Sequence, residues 1–260
     1  MQTIEGYYNQ KSRTYDDQFD SLYYKVYDAI TWKFAEPYVP KTPQGLILDA
    51  GGGTGRWSIR IAKKGCKVVL LDASEGMLEK AQTRISREGL QERIVTKKGN
   101  ILNLDFPDET FDMVFCEHTL FLFSDPSRVV GELTRVLKTN SPMVISAQNK
   151  YPMVLAYLPD DVEKAKGLIS GHYYHMLGDM KVYTMTPDEI KELLETNRLR
   201  IEKMVGKGVT MPLGISSDIY SKKDYSERIF SLILQTELTH CERNDALGLA
   251  GHLQAIARKV

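Results

Sequence analysis

The chain is poor in cysteine, with three in 260 residues. Cys66, Cys116 and Cys241 are too far apart in sequence to form a metal knuckle, and so few of them suit a reducing compartment. An excess of either charge is also missing: 34 Lys and Arg stand against 34 Asp and Glu. That balance carries no electrostatic footprint for nucleic acid or a membrane surface. No window holds the roughly 20 apolar residues that a membrane helix needs. The opening "MQTIEGYYNQKSRTYDDQFD" has no apolar run of the kind a signal peptide carries. A soluble cytoplasmic protein, monomeric or weakly dimeric, is the expectation. Hydrophobic residues make up 42% of the chain and charged residues 26%, as in an ordinary globular protein with one sizeable core.

What is present is an alternation between residues 45 and 149. "GLILDA", "KVVLLDA", "RIVTKKGNI", "FDMVFCE" and "SPMVISAQN" have the length and apolar content of strands. Between them lie helical stretches. "GRWSIRIAKKG" stops at Gly65. "SEGMLEKAQTRISREG" starts at Ser74 as N-cap, carries Met77, Leu78, Ala81 and Ile85 as a stripe, and stops at Gly89. "PSRVVGELTRVLK" is a third. Strands alternating with helices predict crossover units and a mostly parallel sheet covered on both faces. Further strands are expected near 199–210 and 252–259, the last one antiparallel.

The first strand runs into "GGGTG". A phosphate-binding P-loop needs Lys followed by Ser or Thr after its second glycine, and none follows here. A dinucleotide loop needs G-x-G-x-x-G. Counting from Gly51, the third glycine would fall on Arg56, whose side chain blocks the close approach of helix to strand. The spacing present is G-x-G-x-G, at Gly51, Gly53 and Gly55.

With these motifs the sequence resembles the class I S-adenosylmethionine-dependent methyltransferases. The match runs from "LDAGGGTG" through "VVLLDASEGMLEKA" and "KGNILNLDFPDETFDMVFCEHTLFLFSDP" to the terminal "HLQAIARKV". Within that family it looks most like a small-molecule branch that includes the quinone-biosynthesis C-methyltransferases, which the opening "YYNQKSRTYDD" also resembles. The resemblance implies a three-layer, doubly wound, mostly parallel seven-stranded sheet of the Rossmann-like methyltransferase type. It implies one domain over 1–260, with 45–149 as the cofactor-binding core. Segments 1–40, 150–185 and 211–250 would be helical lid insertions. The cofactor would be S-adenosylmethionine, released as S-adenosylhomocysteine.

The resemblance also implies roles. Gly51, Gly53 and Gly55 would let the backbone approach the methionine part of the cofactor. Asp72, about 20 residues on, would bind ribose hydroxyls. Ala73 and Met77 would flank the adenine, although Met77 equally suits the core of its helix. Asn100 and Ile101 stand where the family usually has Asp and a small residue at the adenine edge. Glu117, at the end of the fourth strand, would face the cofactor's methionine and the substrate. Tyr8 or Tyr15 would fold over the cofactor, or simply pack on the core, as would other members of the ten aromatics in the first 38 residues.

His172 and His175 sit three apart in "SGHYYHMLGD". That spacing could share a metal on a helix, but no cysteine or carboxylate pair lies near. Contact with the acceptor, as pocket lining or as a base, is the preferred role and no metal is expected. The acceptor is expected to be a small molecule, neither nucleic acid nor membrane. A protein side-chain methyltransferase and a cofactor-binding protein without catalysis remain the alternatives. An activated methyl needs positioning and exclusion of water more than a catalytic constellation, which fits the absence of one.

Overall fold

A computed structural model describes residues 3–171, 173–176, 180–211 and 221–260. Its helices are α1 (Ile4–Lys11), α2 (Leu22–Ala35), α3 (Arg56–Ala62), α4 (Glu75–Arg87), α5 (Pro126–Val136), α6 (Lys150–Tyr157), α7 (Val162–Gly171), α8 (Pro187–Thr196) and α9 (Glu227–His240). The strands are β1 (Leu46–Ala50), β2 (Lys67–Asp72), β3 (Ile94–Lys98), β4 (Met113–Cys116), β5 (Pro142–Gln148), β6 (Tyr173–Met176), β7 (Met180–Tyr183), β8 (Leu199–Lys207) and β9 (His252–Lys259). Seven of them form one sheet in the order β3-β2-β1-β4-β5-β9-β8. The pairs among β1 to β5 are parallel, and β9 runs antiparallel to both β5 and β8. β6 and β7 form a separate hairpin.

Alternate strand residues divide between two cores. Ile47, Val68, Leu70 and Phe115 pack towards α2, α3 and α4 on one face. Leu48, Leu71, Val114 and Ile145 pack towards α5 and α8 on the other. Strands buried on both faces read as continuous apolar runs, which is why short segments such as "LILDA" sufficed to mark them. Helix ends follow local chemistry. The Ser74 hydroxyl accepts from the Met77 N–H at the start of α4, and Asp125 accepts from the Arg128 N–H at the start of α5. Thr186 and Glu189 cap each other at the start of α8. In α4, the stripe Met77, Leu78, Ala81 and Ile85 is buried. Each large side chain in it contributes about 1.5–3 kcal/mol of burial.

The N-terminal segment is helical and tightly attached. α2 buries Leu22, Val26, Tyr27 and Ile30, and Trp32 stacks on Trp57 of α3. Arg56, the residue that excludes a dinucleotide loop, pairs with Asp28 of α2 and lies over the Phe19 ring, 3.8 Å from its centroid. α6, α7 and β7 share a small third core with the Leu120–Leu122 turn, built on Phe121, Met153, Val154, Leu168 and Val182. α9 packs on α2.

Candidate functional site

The parallel register sets the site. Ala50 pairs with Leu71, so the loop after β1 opens beside the end of β2. The Gly51 and Gly52 N–H groups both donate to the Leu71 carbonyl, at 2.8 and 3.1 Å. Gly53 has φ +54°, and a Cβ built on it would meet nothing nearer than the Tyr15 ring at 3.8 Å. A left-handed backbone without a side chain therefore holds the space between loop and Tyr15 clear. At Gly51, a Cβ would lie 2.5 Å from the Thr119 side chain, so only glycine lets the loop meet the segment after β4.

Asp72 joins loop to strand end. One carboxylate oxygen accepts from the Gly53 N–H at 2.9 Å, the other from the Ser74 N–H at 2.8 Å. Burial raises its pKa, and hydrogen bonds from the Ser74, Gly53 and Ala73 N–H groups oppose the rise. Two oxygens offer about four lone-pair sites, so acceptor capacity remains on both.

These residues border a cavity of about 610 Å³ at the carboxyl edge of the sheet. Gly51, Gly53, Asp72, Ala73 and Met77 line it, as do Asn100, Ile101, Tyr8 and Tyr15. Nine residues singled out in the sequence thus meet at one surface, drawn from the first turns of the chain and from the ends of β1, β2 and β3. The roof is latched by side chains. Asn9 accepts from the Ser74 hydroxyl at 2.7 Å and the Gly76 N–H at 3.0 Å. Asp16 accepts from the Thr54 hydroxyl at 2.6 Å and from Arg84 at 3.2 Å.

Other sequence expectations come out differently. Gly55 does not border the cavity; it is the N-cap of α3, and a Cβ there would press on Leu70 at 3.2 Å. Asn100 borders the cavity, but its side-chain oxygen accepts from the Leu102 N–H at 2.9 Å, so it serves its own turn as well. Glu117 turns away from the cavity into the core, where Lys207 of β8 and the Tyr27 hydroxyl bind it. Burial would raise this carboxyl; the Lys207 ammonium and hydrogen bonds from Lys207 and Tyr27 outweigh it and hold the group below the usual carboxylate range. His172 lies outside the described residues. His175 falls in β6, opposite Lys181, and its side chain is outside the described set. Among the described residues no group of three or more His, Cys, Asp or Glu is placed to hold a metal. No helix among them is long and apolar enough to cross a membrane.

The sequence reading passed over His118, which the structure places on the cavity wall. It has φ +60°, an uncommon conformation for a side chain of this size. Its N–H donates to the Ser146 hydroxyl at 2.8 Å. Tyr24, Tyr27, Phe121 and His252 surround the ring, with centroids 4.9–6.3 Å away. Burial pushes the imidazole down to about 4, opposed by Glu117, so it is neutral at physiological pH. Its Nδ1 is buried without a hydrogen-bond partner among the described residues. The available signal was position: His118 follows Glu117, two residues beyond the end of β4, on the edge where open α/β sheets bind ligands.

Residues 47–140 match a family model described as a methyltransferase domain. A phosphatidylethanolamine N-methyltransferase of Cereibacter sphaeroides is 31% identical over 161 residues, 58% of this chain and 72% of that protein. The chain belongs to the S-adenosylmethionine-dependent methyltransferase family. A demethylmenaquinone methyltransferase of Lactiplantibacillus plantarum is 33% identical over 42% of this chain, and the match spans about half of that relative, 48%. A tRNA 5-carboxymethoxyuridine methyltransferase of Escherichia coli is 22% identical over 96% of this chain and 97% of its own. Among solved structures, a methyltransferase of Methanosarcina mazei superposes with TM-score 0.64 at 18% identity, covering 87% of this chain and 97% of that one. That likeness shows the methyltransferase fold.

The cofactor of this family is S-adenosylmethionine, and the residues present fit it. The clear space at Gly53 admits a ligand against the loop backbone. Asp72 keeps acceptor capacity for a diol. The lysine among the described lining residues, Lys98, ends β3 rather than following the glycine loop and is paired with Glu5 and Glu75.

Proposed function

We propose that this methyltransferase moves a methyl group to a small-molecule acceptor. The observation that carries the proposal is the meeting of nine cofactor-type residues on one 610 Å³ cavity. S-adenosylmethionine, when bound, supplies a methyl already activated by its sulfonium. The chain's part is to bind, orient and keep water out. Gly51 and Gly53 receive the amino-acid part, Asp72 accepts from the ribose hydroxyls, and Ala73, Met77 and Ile101 flank the adenine. Tyr8 and Tyr15 close the roof from the N-terminal segment. Residues 1–40, 150–185 and 211–250 act as lids around the core 45–149. His118 presents a neutral imidazole on the same wall. Such a ring can hydrogen-bond the acceptor without adding a second positive charge beside a sulfonium.

A small acceptor is supported by the balanced charge, 34 Lys and Arg against 34 Asp and Glu, where polynucleotide binding commonly goes with a basic excess. The quinone-biosynthesis branch is supported by the demethylmenaquinone methyltransferase relative. Two measurements test the proposal. Calorimetric titration with S-adenosylhomocysteine should show saturable binding, and its absence would remove the cofactor assignment. Tritiated cofactor incubated with cell extract should then label the small-molecule fraction. Label appearing instead in the tRNA or the protein fraction would replace the acceptor class. Hydrogen exchange should slow in the N-terminal segment when S-adenosylhomocysteine is present.

A further inference from the structure

A second cavity, of about 330 Å³, adjoins the first, and the two share Phe123 and Ser124 in their walls. His118 borders the first and Phe121 the second, and these two rings meet edge-on with centroids 4.9 Å apart. They form a partition of two aromatic faces. The second cavity lies where the α6–α7–β7 unit meets the sheet. Leu120 and Phe121 come from the turn after β4, Ala147 from the end of β5, and Met185 from the segment after β7.

The wall is mostly hydrocarbon, and its acidic member is already engaged. Glu189 accepts from Lys150 at 2.7 Å and from the Thr186 N–H at 2.7 Å. No lysine or arginine borders the cavity among the described residues. A charged occupant would lose its hydration with no partner to replace it, whereas an apolar one gains by leaving water. An apolar cavity of about 150 Å³ suffices for benzene; this one has about twice that volume.

We propose that the second cavity holds the apolar part of the methyl acceptor, an uncharged ring system of up to about two fused rings. The acceptor's reactive atom then lies past Phe123 and Ser124, beside His118 in the first cavity. This rests on the methyltransferase reading and adds to it the substrate class: a neutral, largely hydrophobic small molecule.

The test does not need the acceptor's identity. Protein carrying isotope-labelled methionine methyls gives one reporter in each cavity, Met77 in the first and Met185 in the second. β-Naphthol is the probe, and naphthalene sulfonate is its charged counterpart. β-Naphthol should shift the Met185 methyl signal and leave Met77 in place, while naphthalene sulfonate shifts neither. S-adenosylhomocysteine should shift Met77 and still bind when β-naphthol is present. Ala147→Phe, which fills the cavity, should weaken β-naphthol by at least about tenfold and leave the response to S-adenosylhomocysteine unchanged. Should that variant fail to fold, the wild-type Met185 response decides. The proposal is overturned if β-naphthol moves Met77 alone, if it displaces S-adenosylhomocysteine, or if the sulfonate binds equally well. A Met77 signal indifferent to S-adenosylhomocysteine would instead strike the cofactor reading, leaving the Met185 result to stand on its own.

Discussion

The two ends of the large cavity are built in different ways. At the β1–β3 end, function rests on backbone shape and on residues close in sequence: Gly53 and Asp72 are 19 positions apart and share a hydrogen bond. At the β4 end it rests on long-range side-chain pairing. Glu117 meets Tyr27 and Lys207, each 90 positions away, and His118 packs on His252. A locally encoded site constrains few distant residues and keeps its form as the rest of the chain varies. A site assembled by burial depends on the whole fold. The β1–β3 end, proposed to hold the cofactor, should therefore fail by losing ligand, and the β4 end, proposed to face the acceptor, by losing stability.

Gly53→Val is the most damaging way to break this contrast. A non-glycine residue held at φ near +54° is strained by roughly 1–3 kcal/mol. Its methyls would also fill the space beneath Tyr15. Binding of S-adenosylhomocysteine should fall by more than about a hundredfold, while the melting transition stays cooperative. Normal calorimetric binding by a folded Gly53→Val protein would mean that the loop does not touch the cofactor.

At the opposite end, Glu117→Gln should act on stability. It leaves the Lys207 ammonium fully buried without its counter-charge, a loss of about 3–5 kcal/mol. The double variant Glu117→Gln/Lys207→Met should recover most of that loss, since no lone charge stays buried. Urea unfolding checks both, and S-adenosylhomocysteine affinity of the folded single variant should change less than about twofold. If Glu117→Gln unfolds like wild type, the pair is not what pins β4, α2 and β8 together.

The same contrast explains what could be seen in the sequence. Strand runs, the Ser74 cap and the glycine spacing are set by neighbours in the chain, so the strand–helix alternation over 45–149 and most of the residues singled out for the large cavity could be read directly. Glu117 was placed correctly at the end of β4, but not its direction. Nothing within a few residues of it reveals that a lysine on β8 and a tyrosine on α2 will draw the carboxylate inward. Met77 was left between core and cavity, and it is both: 1% exposed and on the cavity wall. The second cavity draws on residues from 120 to 189 and exists only once the α6–α7–β7 unit has packed on the sheet. No local pattern announces a space between elements.

Asp72→Ala gives a smaller effect that separates loop shape from ligand contact. Losing hydrogen bonds to a charged group costs about 1.5–3 kcal/mol, so S-adenosylhomocysteine should bind roughly ten- to a hundredfold more weakly. Part of that loss is expected to come through Gly53, whose N–H loses its partner. A deoxyribose analogue of S-adenosylhomocysteine distinguishes the two contributions. If Asp72 holds the ribose, the analogue should bind wild type more weakly, yet lose little more on going to Asp72→Ala. Equal losses for both ligands would assign Asp72 to loop support alone.

The smallest effect at neutral pH, and the one that tests the β4 end most closely, is that of His118→Gln. In the folded chain the His118 imidazole is held at about 4, against an ordinary 6.5. A depressed folded value means that the unfolded chain binds the proton first. The stability this provides is fully present above about pH 6.5 and is lost as pH falls towards 4. His252, facing the same ring and also pushed down by burial, has the same sign. Asp49 works the other way: burial raises it to about 6 from 3.8, so its contribution is present at low pH and lost as pH rises through that interval. The wild-type profile between pH 4 and 7 is thus a sum of opposed terms, and only its difference from the variant isolates one group. His118→Gln should match wild type at pH 7 and be less acid-sensitive by on the order of 2–3 kcal/mol at pH 4. Urea titrations at a series of pH values measure the difference. Parallel curves for the two proteins would show that His118 is not a buried neutral imidazole and would remove it from the proposed acceptor contact.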